Sequence, residues 1–447
     1  GQSHNWGGPE SAGSAAMKSL IAAAVLLGFI LVSCGEDESA DTPTPTPSGQ
    51  PTATLSPPPS STPSPTVAGQ LPTLAEALAG GETLARRSLG WPNLVYGVKE
   101  GRHVRVFSRN ATSGGQRLLL EYDEDTQATH SGNTWEEEAA AIDMADSGLL
   151  VYVRGFDLHT YDIGSGADHT VLTANSLGTT IPSNRWRTAT GQDICCGYHL
   201  ARPVVSPDGR FTAFLISRWE GAYTGLAAAD GSSACRIAEE TQNSLPATSM
   251  NPRWSADNRL ALGSHGEYAA IGLYVTGDPA TCGTSRSAEV SVYPSDMPVA
   301  WSPDSLAIAY AVQGYDPDFG ELRLLRKGST ALLLDNVYAT GLLFSPDGRY
   351  IYYTQSDSPS ARGASTENLK RYDLVDGTTQ QIAAVPGGWH ALPAGWLDGQ
   401  YLRLSVFSAE KYYWSAANRV VLLDPETGGV VYASAASDFT TYAGFLP

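Results

Sequence analysis

Basic residues are scarce in this chain. Lys and Arg together number 28 against 46 Asp and Glu, so the formal net charge of the 447 residues is −18 at pH 7. Proteins that bind nucleic acid need a basic surface to neutralise phosphates. The composition therefore argues against nucleic acid as a partner.

Long apolar runs are also rare. The run Leu20–Val32 has 13 residues, which is short for a transmembrane helix. It follows Met17-Lys18 and ends at a small residue, Ser33, and this order predicts a secretory signal peptide. Leu31-Val32-Ser33-Cys34 resembles a bacterial lipobox, and that resemblance implies cleavage before Cys34 and lipid attachment to its thiol.

Charge is absent from the segment that follows. Residues 42–66 contain nine Pro, twelve Ser or Thr and no charged residue. Such a composition cannot form a core, so we expect an extended, disordered tether. We divide the chain into an upstream extension with the signal peptide (1–33), the tether (34–70) and one folded domain (71–447).

Catalytic motifs are missing. The sequence contains neither His-Glu-x-x-His nor Gly-x-Ser-x-Gly, which excludes the common zinc-peptidase and α/β-hydrolase signatures. His199 and His390 are possible general bases, but we expect hydrogen-bonded histidines of a loop or the core. Tyr315–Glu321 carries three carboxylates without the spacing of an EF-hand loop, so we expect a solvated acidic loop. We predict no metal and no cofactor.

Cysteine is used sparingly. Beyond Cys34 there are four, Cys195, Cys196, Cys235 and Cys282. An even number in an exported protein predicts two disulfides, with three pairings possible. A four-thiolate zinc site is the alternative, and the lack of any Cys-x-x-Cys pair argues against it.

What the chain does contain is a repeated turn. Ser206-Pro207-Asp208-Gly209 and Ser345-Pro346-Asp347-Gly348 each precede an alternating apolar strand. Pro sets φ at the second turn position, and Gly suits a left-handed residue. After Pro303-Asp304, Leu306, Ile308, Tyr310 and Val312 alternate with alanines. This strand is predicted to be buried on both faces.

The repeat extends through most of the chain. Seven versions of the turn begin at residues 91, 145, 206, 255, 302, 345 and 396, and further hairpins begin at Tyr161, Leu226, Lys370 and Val421. A unit of about 50 residues with four short strands is typical of a propeller blade. The sequence predicts an all-β fold, a single β-propeller of about seven four-stranded blades.

These residues carry a family resemblance. An apolar residue, Ser-Pro-Asp-Gly-Arg and an alternating strand resemble the TolB-type, WD-like β-propeller repeat over roughly residues 84–447. Ser305, Ala256 and Asn258 depart from that pattern. The resemblance implies a propeller and leaves the ligand open, because fold does not determine function.

Successive strands of a blade alternate in direction, so their connections alternate between the two faces of the ring, and this predicts where binding residues lie. Short uniform turns share one face, and the long segments share the other. The long segments carry nine candidate binding residues, Arg185, Trp186, Arg187, Trp219, Tyr315, Phe319, Tyr412, Tyr413 and Trp414. Aromatic and arginine side chains on scaffolded loops are common binding anchors.

Two functions follow as hypotheses. The first is a monomeric, non-catalytic binding or scaffolding module for a protein or envelope polymer, exported and lipid-anchored to the outer side of a bacterial cell membrane or to the envelope. The alternative is an exported propeller enzyme acting on a glycan, as a hydrolase or lyase.

The last prediction concerns ring closure. The final apolar run, Asp438–Pro447, occupies the position of an innermost strand. A propeller whose ends do not meet exposes two sheet edges. We predict that Thr440–Phe445 pairs beside Leu94–Val98 and completes the first blade.

Overall fold

Antiparallel strand pairing closes the chain into a ring of seven sheets. The structure, a computed structural model, describes residues 71–84, 93–101, 103–110, 113–123, 140–154, 157–173, 199–218, 221–237, 252–264, 272–281, 284–289, 298–313, 320–356, 367–408, 419–435 and 440–446. The predicted all-β propeller with seven blades of four strands is confirmed.

Each blade is a four-stranded meander. Blade 1 contains β2 (Asn93–Glu100), β3 (His103–Asn110) and β4 (Gln116–Asp123), and blade 2 contains β5 (Ile142–Met144), β6 (Leu149–Arg154), β7 (Asp157–Asp162) and β8 (Ala167–Leu172). Blade 3 contains β9 (His199–Val205), β10 (Phe211–Arg218), β11 (Gly221–Ala228) and β12 (Ala234–Arg236). Blade 4 contains β13 (Arg253–Trp254), β14 (Leu260–Ser264), β15 (Gly272–Thr276) and β16 (Thr284–Glu289), with a 3-10 turn at Pro279–Thr281.

The later blades repeat this order. Blade 5 contains β17 (Val299–Trp301), β18 (Ala307–Gln313), β19 (Gly320–Arg326) and β20 (Ser329–Asp335), and blade 6 contains β21 (Ala339–Phe344), β22 (Tyr350–Ser356), β23 (Glu367–Asp373) and β24 (Thr379–Val385). Blade 7 contains β25 (Trp389–Leu397), β26 (Tyr401–Ser408), β27 (Arg419–Leu423) and β28 (Val430–Ala433). First strands of neighbouring blades contact one another, so they form the inner edge of the ring.

The repeated turn joins the first and second strands of a blade. In blade 5 the buried hydroxyl of Ser302 donates to Asp304 Oδ1 at 2.5 Å and accepts from the backbone N–H of Ala307 at 2.9 Å. Ser206, Ser255 and Ser345 make the same pair of bonds in their blades. The turn therefore satisfies its own polar groups and joins the first two strands in the same way in these four blades.

The strand after the turn in blade 5 is buried as predicted, with one correction. Ile308, Tyr310 and Val312 are at most 3% exposed, and the intervening Ala309 and Ala311 are fully buried. Leu306 is 57% exposed, because it still belongs to the turn that precedes β18. Ser305 takes the position that Gly holds elsewhere and adopts a left-handed φ of 58°.

The C-terminus closes the ring. β29 (Thr440–Leu446) is the first strand of blade 1 and pairs with β2, so that Phe445 lies opposite Leu94 and Thr440 opposite Val98. The predicted closure is confirmed. Strands from both ends of the folded domain therefore complete one blade.

A second closure was not predicted. The two-residue strand β1 (Thr83–Leu84) adds to the outer edge of blade 7 by pairing with β28. The short helix α1 (Leu74–Ala79) precedes it, capped by Thr73 and Glu76 in a reciprocal capping box. Leu74 and Leu78 pack into the core that blades 6 and 7 share.

Candidate functional site

The second strand of blade 7, β26, carries an arginine that contacts blade 1. A register shift in β25 places Gly395 opposite Arg403. Because Gly395 has no side chain, the Arg403 guanidinium lies against it, and a Cβ added there would come within 2.9 Å of Nη2. The guanidinium donates to the carbonyl oxygen of Ala394. Its Cζ lies 4.6 Å from the centroid of the Tyr442 ring in blade 1, so Arg403 links the last blade to the first.

A carboxylate belongs to the same neighbourhood. Asp143, in the first strand of blade 2, accepts a hydrogen bond from the backbone N–H of Val205 at 2.8 Å. Burial raises the pKa of Asp143 to about 6, while the guanidinium groups of Arg403 and Arg253 act in the opposite direction. We call Asp143, Arg253, Arg403 and Tyr442 the inner-rim cluster.

The inner-rim cluster is enclosed and still reached by solvent. Asp143 and Tyr442 are both partly exposed to solvent. Protein nevertheless surrounds both groups closely, because desolvation is the largest influence on their pKa values. This combination is expected at the narrow central channel of a propeller. Burial raises the pKa of Tyr442, and the Arg403 charge lowers it.

Two buried polar groups of the inner-rim cluster can make further hydrogen bonds. Arg403 Nε is buried and has no hydrogen-bond partner among the described residues. The buried Tyr442 hydroxyl, beside which the Arg403 guanidinium lies, has no further partner among them. Buried polar groups are usually paired, and each exception needs an explanation. Chemically, the cluster combines donors for an anion with a carboxyl group that can change its protonation near pH 6.

Sequence reasoning did not select these residues. The available signals were a lone aspartate in the short apolar strand Ile142–Met144 and a glycine in the strand Trp389–Leu397. Both are local irregularities in otherwise apolar strands. Neither shows which other blades lie beside it, because the closure of the ring decides that.

Of the two histidines predicted from sequence as possible general bases, the structure describes the side chain of His390 but not that of His199. His390 is 6% exposed, and its Nδ1 lies 2.6 Å from Oε1 of the buried Glu367. The expectation of a hydrogen-bonded core histidine is confirmed for this residue. His199 lies in the backbone of β9, and its side chain lies outside what the structure describes.

All nine predicted binding residues lie outside the described residues. The strands that flank them are described. β8 and β9, β10 and β11, β18 and β19, and β26 and β27 border the four segments concerned. Because successive strands alternate in direction, the strand ends that border these segments lie at the face opposite the repeated turns. The placement of the nine side chains stays a prediction.

The other named residues are only partly described. Cys235 is disulfide-bonded, and its partner lies outside the described residues, as do Cys34, Cys195, Cys196 and Cys282, so the pairing stays a prediction. Of the acidic loop, only Gly320 and Glu321 are described, and Glu321 pairs with Arg323 at 2.5 Å. Within the described ranges no group of three His, Cys, Asp or Glu could hold a metal ion. No described helix is long and apolar enough to span a membrane.

Comparison by sequence finds no relatives, since no family model and no curated protein matches the chain. Solved structures do resemble it. TolB from Acinetobacter baumannii is 12% identical with a TM-score of 0.38, over 78% of this chain and 80% of that one. A putative 6-phosphogluconolactonase from Bacteroides fragilis is 14% identical with a TM-score of 0.45, over 79% and 98%.

An oligogalacturonate lyase in complex with manganese is also similar. It is 11% identical with a TM-score of 0.45, over 75% of this chain and 83% of that one. TolB proteins are thus among the solved propellers that resemble this chain, in agreement with the resemblance seen in the repeat. Likenesses this distant carry no argument about ligand or activity, and the fold itself is established by the strand pairing.

Proposed function

We propose that the protein is an exported, lipid-anchored binding module that presents the loop face of a rigid seven-bladed ring to a protein or an envelope polymer. The observation that carries the proposal is the difference between the two faces. Four of the repeated turns use their serine and aspartate side chains in internal hydrogen bonds. That face therefore supplies a frame, and the longer segments that leave the opposite face supply the contacts.

The anchor half of the proposal is supported by sequence. An apolar run ending at Ser33-Cys34 and a tether without charge at 42–66 fit a protein held away from a membrane surface. Growth with a labelled fatty acid tests it. The parent should incorporate label and partition into the detergent phase, and Cys34→Ala should do neither. Equal labelling of both proteins contradicts the anchor.

The binding half is tested with a matched pair of variants. We expect the triple variant Tyr412→Ala, Tyr413→Ala and Trp414→Ala to lose at least about tenfold in affinity for envelope fractions, because aromatic anchors often contribute 1 kcal/mol or more each. Leu306→Ala removes an exposed apolar side chain from the turn face and should change nothing. Equal loss in both variants, or in neither, contradicts the loop face as the binding surface.

A further inference from the structure

The inner-rim cluster has the composition of a small-ligand site distinct from the loop face. Arg403 offers a buried N–H at Nε without a partner among the described residues, and Tyr442 offers the O–H of a buried hydroxyl whose oxygen faces the Arg403 guanidinium. Asp143 completes the set, with one oxygen held by the backbone N–H of Val205. A planar carboxylate matches a guanidinium edge and a hydroxyl donor.

We propose that the inner-rim cluster binds a small monocarboxylate, and that Asp143 takes up one proton when the ligand binds. The bond pattern follows from the groups present. One ligand oxygen accepts from Arg403 Nε–H, and the other accepts from Tyr442 Oη–H or from the protonated Asp143. The proton comes from solvent, and no covalent bond forms or breaks.

Proton uptake follows from the charges that face the site. The guanidinium groups of Arg403 and Arg253 both stabilise the ionised form of Asp143. The charges of Asp143 and Asp146 in turn act to raise the pKa of Tyr442. When Asp143 is ionised, it competes with an anionic ligand for the arginines. When it is neutral, it becomes a donor to the ligand. Binding should therefore be tighter at low pH.

The test measures acetate binding to the full chain by calorimetry at pH 5.5, 6.5 and 7.5, with sodium chloride to keep the ionic strength constant. We expect saturable binding at pH 5.5, and an affinity that falls by about tenfold per pH unit once Asp143 is ionised, as linkage to one proton requires. Asp143→Asn should bind acetate with no pH dependence in this range.

Two further variants separate this site from general charge effects. Arg403→Met should lose acetate binding, whereas Arg210→Met, which removes the same charge from a side chain 69% exposed on the turn face, should keep it. Absence of saturable binding at pH 5.5, or retention of the pH dependence in Asp143→Asn, overturns the proposal. Neither result bears on the loop face, whose test uses different variants and a different ligand.

Discussion

Arg419 Nη2 donates a hydrogen bond to the carbonyl oxygen of Gly81 at 2.7 Å. The same guanidinium donates to the carbonyl oxygens of Leu78, Gly80 and Ser434, and the residue is 2% exposed. Carbonyl oxygens at the end of α1 have no partner within the helix, so a buried cation in blade 7 satisfies them. One side chain thus fixes the N-terminal segment of the domain to its last blade.

Replacing Arg419 should destabilise both α1 and blade 7. We expect Arg419→Met to lower the free energy of unfolding by about 3–5 kcal/mol, since it leaves several buried carbonyl groups without donors. Arg419→Lys should recover only part of this, because an ammonium cannot reach all four oxygens at once. Urea unfolding measures the change. Arg210→Met, at an exposed arginine, is the control, and a similar loss there would contradict the role given to Arg419.

The C-terminal strand should support the whole ring. Its Ala443 is 4% exposed in the core shared by blades 1 and 2. Ala443→Asp buries an unpaired carboxylate, which we expect to cost about 3–5 kcal/mol and to lower the midpoint of the entire unfolding transition. Deletion of 440–447 should abolish cooperative unfolding altogether.

The exposed Ala435 provides a control for that variant. Ala435→Asp should leave the transition unchanged, because its carboxylate stays in solvent. Hydrogen exchange provides the test of the deletion. If protection is lost only next to the deleted strand and the other blades stay protected, the strand does not close the ring.

Sequence periodicity was enough to predict the blades and the closing strand. Turn residues and alternating strands are local patterns, and each blade repeats them. Contacts between blades were not predicted. Trp254 and Trp396 donate from Nε1 to the carbonyl oxygens of Val204 and Phe344, 50 and 52 residues earlier in the chain. Trp301 makes a similar bond to Arg253.

The missed features have different causes. The capping box of Thr73 and Glu76 is a readable local signal, although it gives no indication that β1 joins blade 7. The inner-rim cluster was invisible for another reason. Asp143, Arg403 and Tyr442 come from three different blades, and only ring geometry brings them together.

A hairpin in blade 5 offers a stabilising change. Lys327 and Gly328 form the two-residue connection between β19 and β20, with φ values of 50° and 75°. This is a type I′ turn, which favours Asn at its first position. Lys327→Asn should raise the free energy of unfolding by about 0.5 kcal/mol, because Asn tolerates left-handed φ better than Lys. Lys327→Ala tests charge alone, and an equal gain there would contradict the conformational explanation.

Asp143 predicts a specific pH dependence of stability. Its pKa is raised from 3.8 to about 6 in the folded protein, so the folded state holds a proton that the unfolded state has already released. Stability from this group is therefore fully present below about pH 4 and falls as the pH rises through 6. Because solvent reaches the channel, we expect a loss of about 1–3 kcal/mol relative to Asp143→Asn over that window. Chemical unfolding of both proteins in chloride buffers from pH 4 to pH 8 measures the difference. A difference that does not change with pH, or that grows toward low pH, would show that Asp143 is not held neutral by the ring.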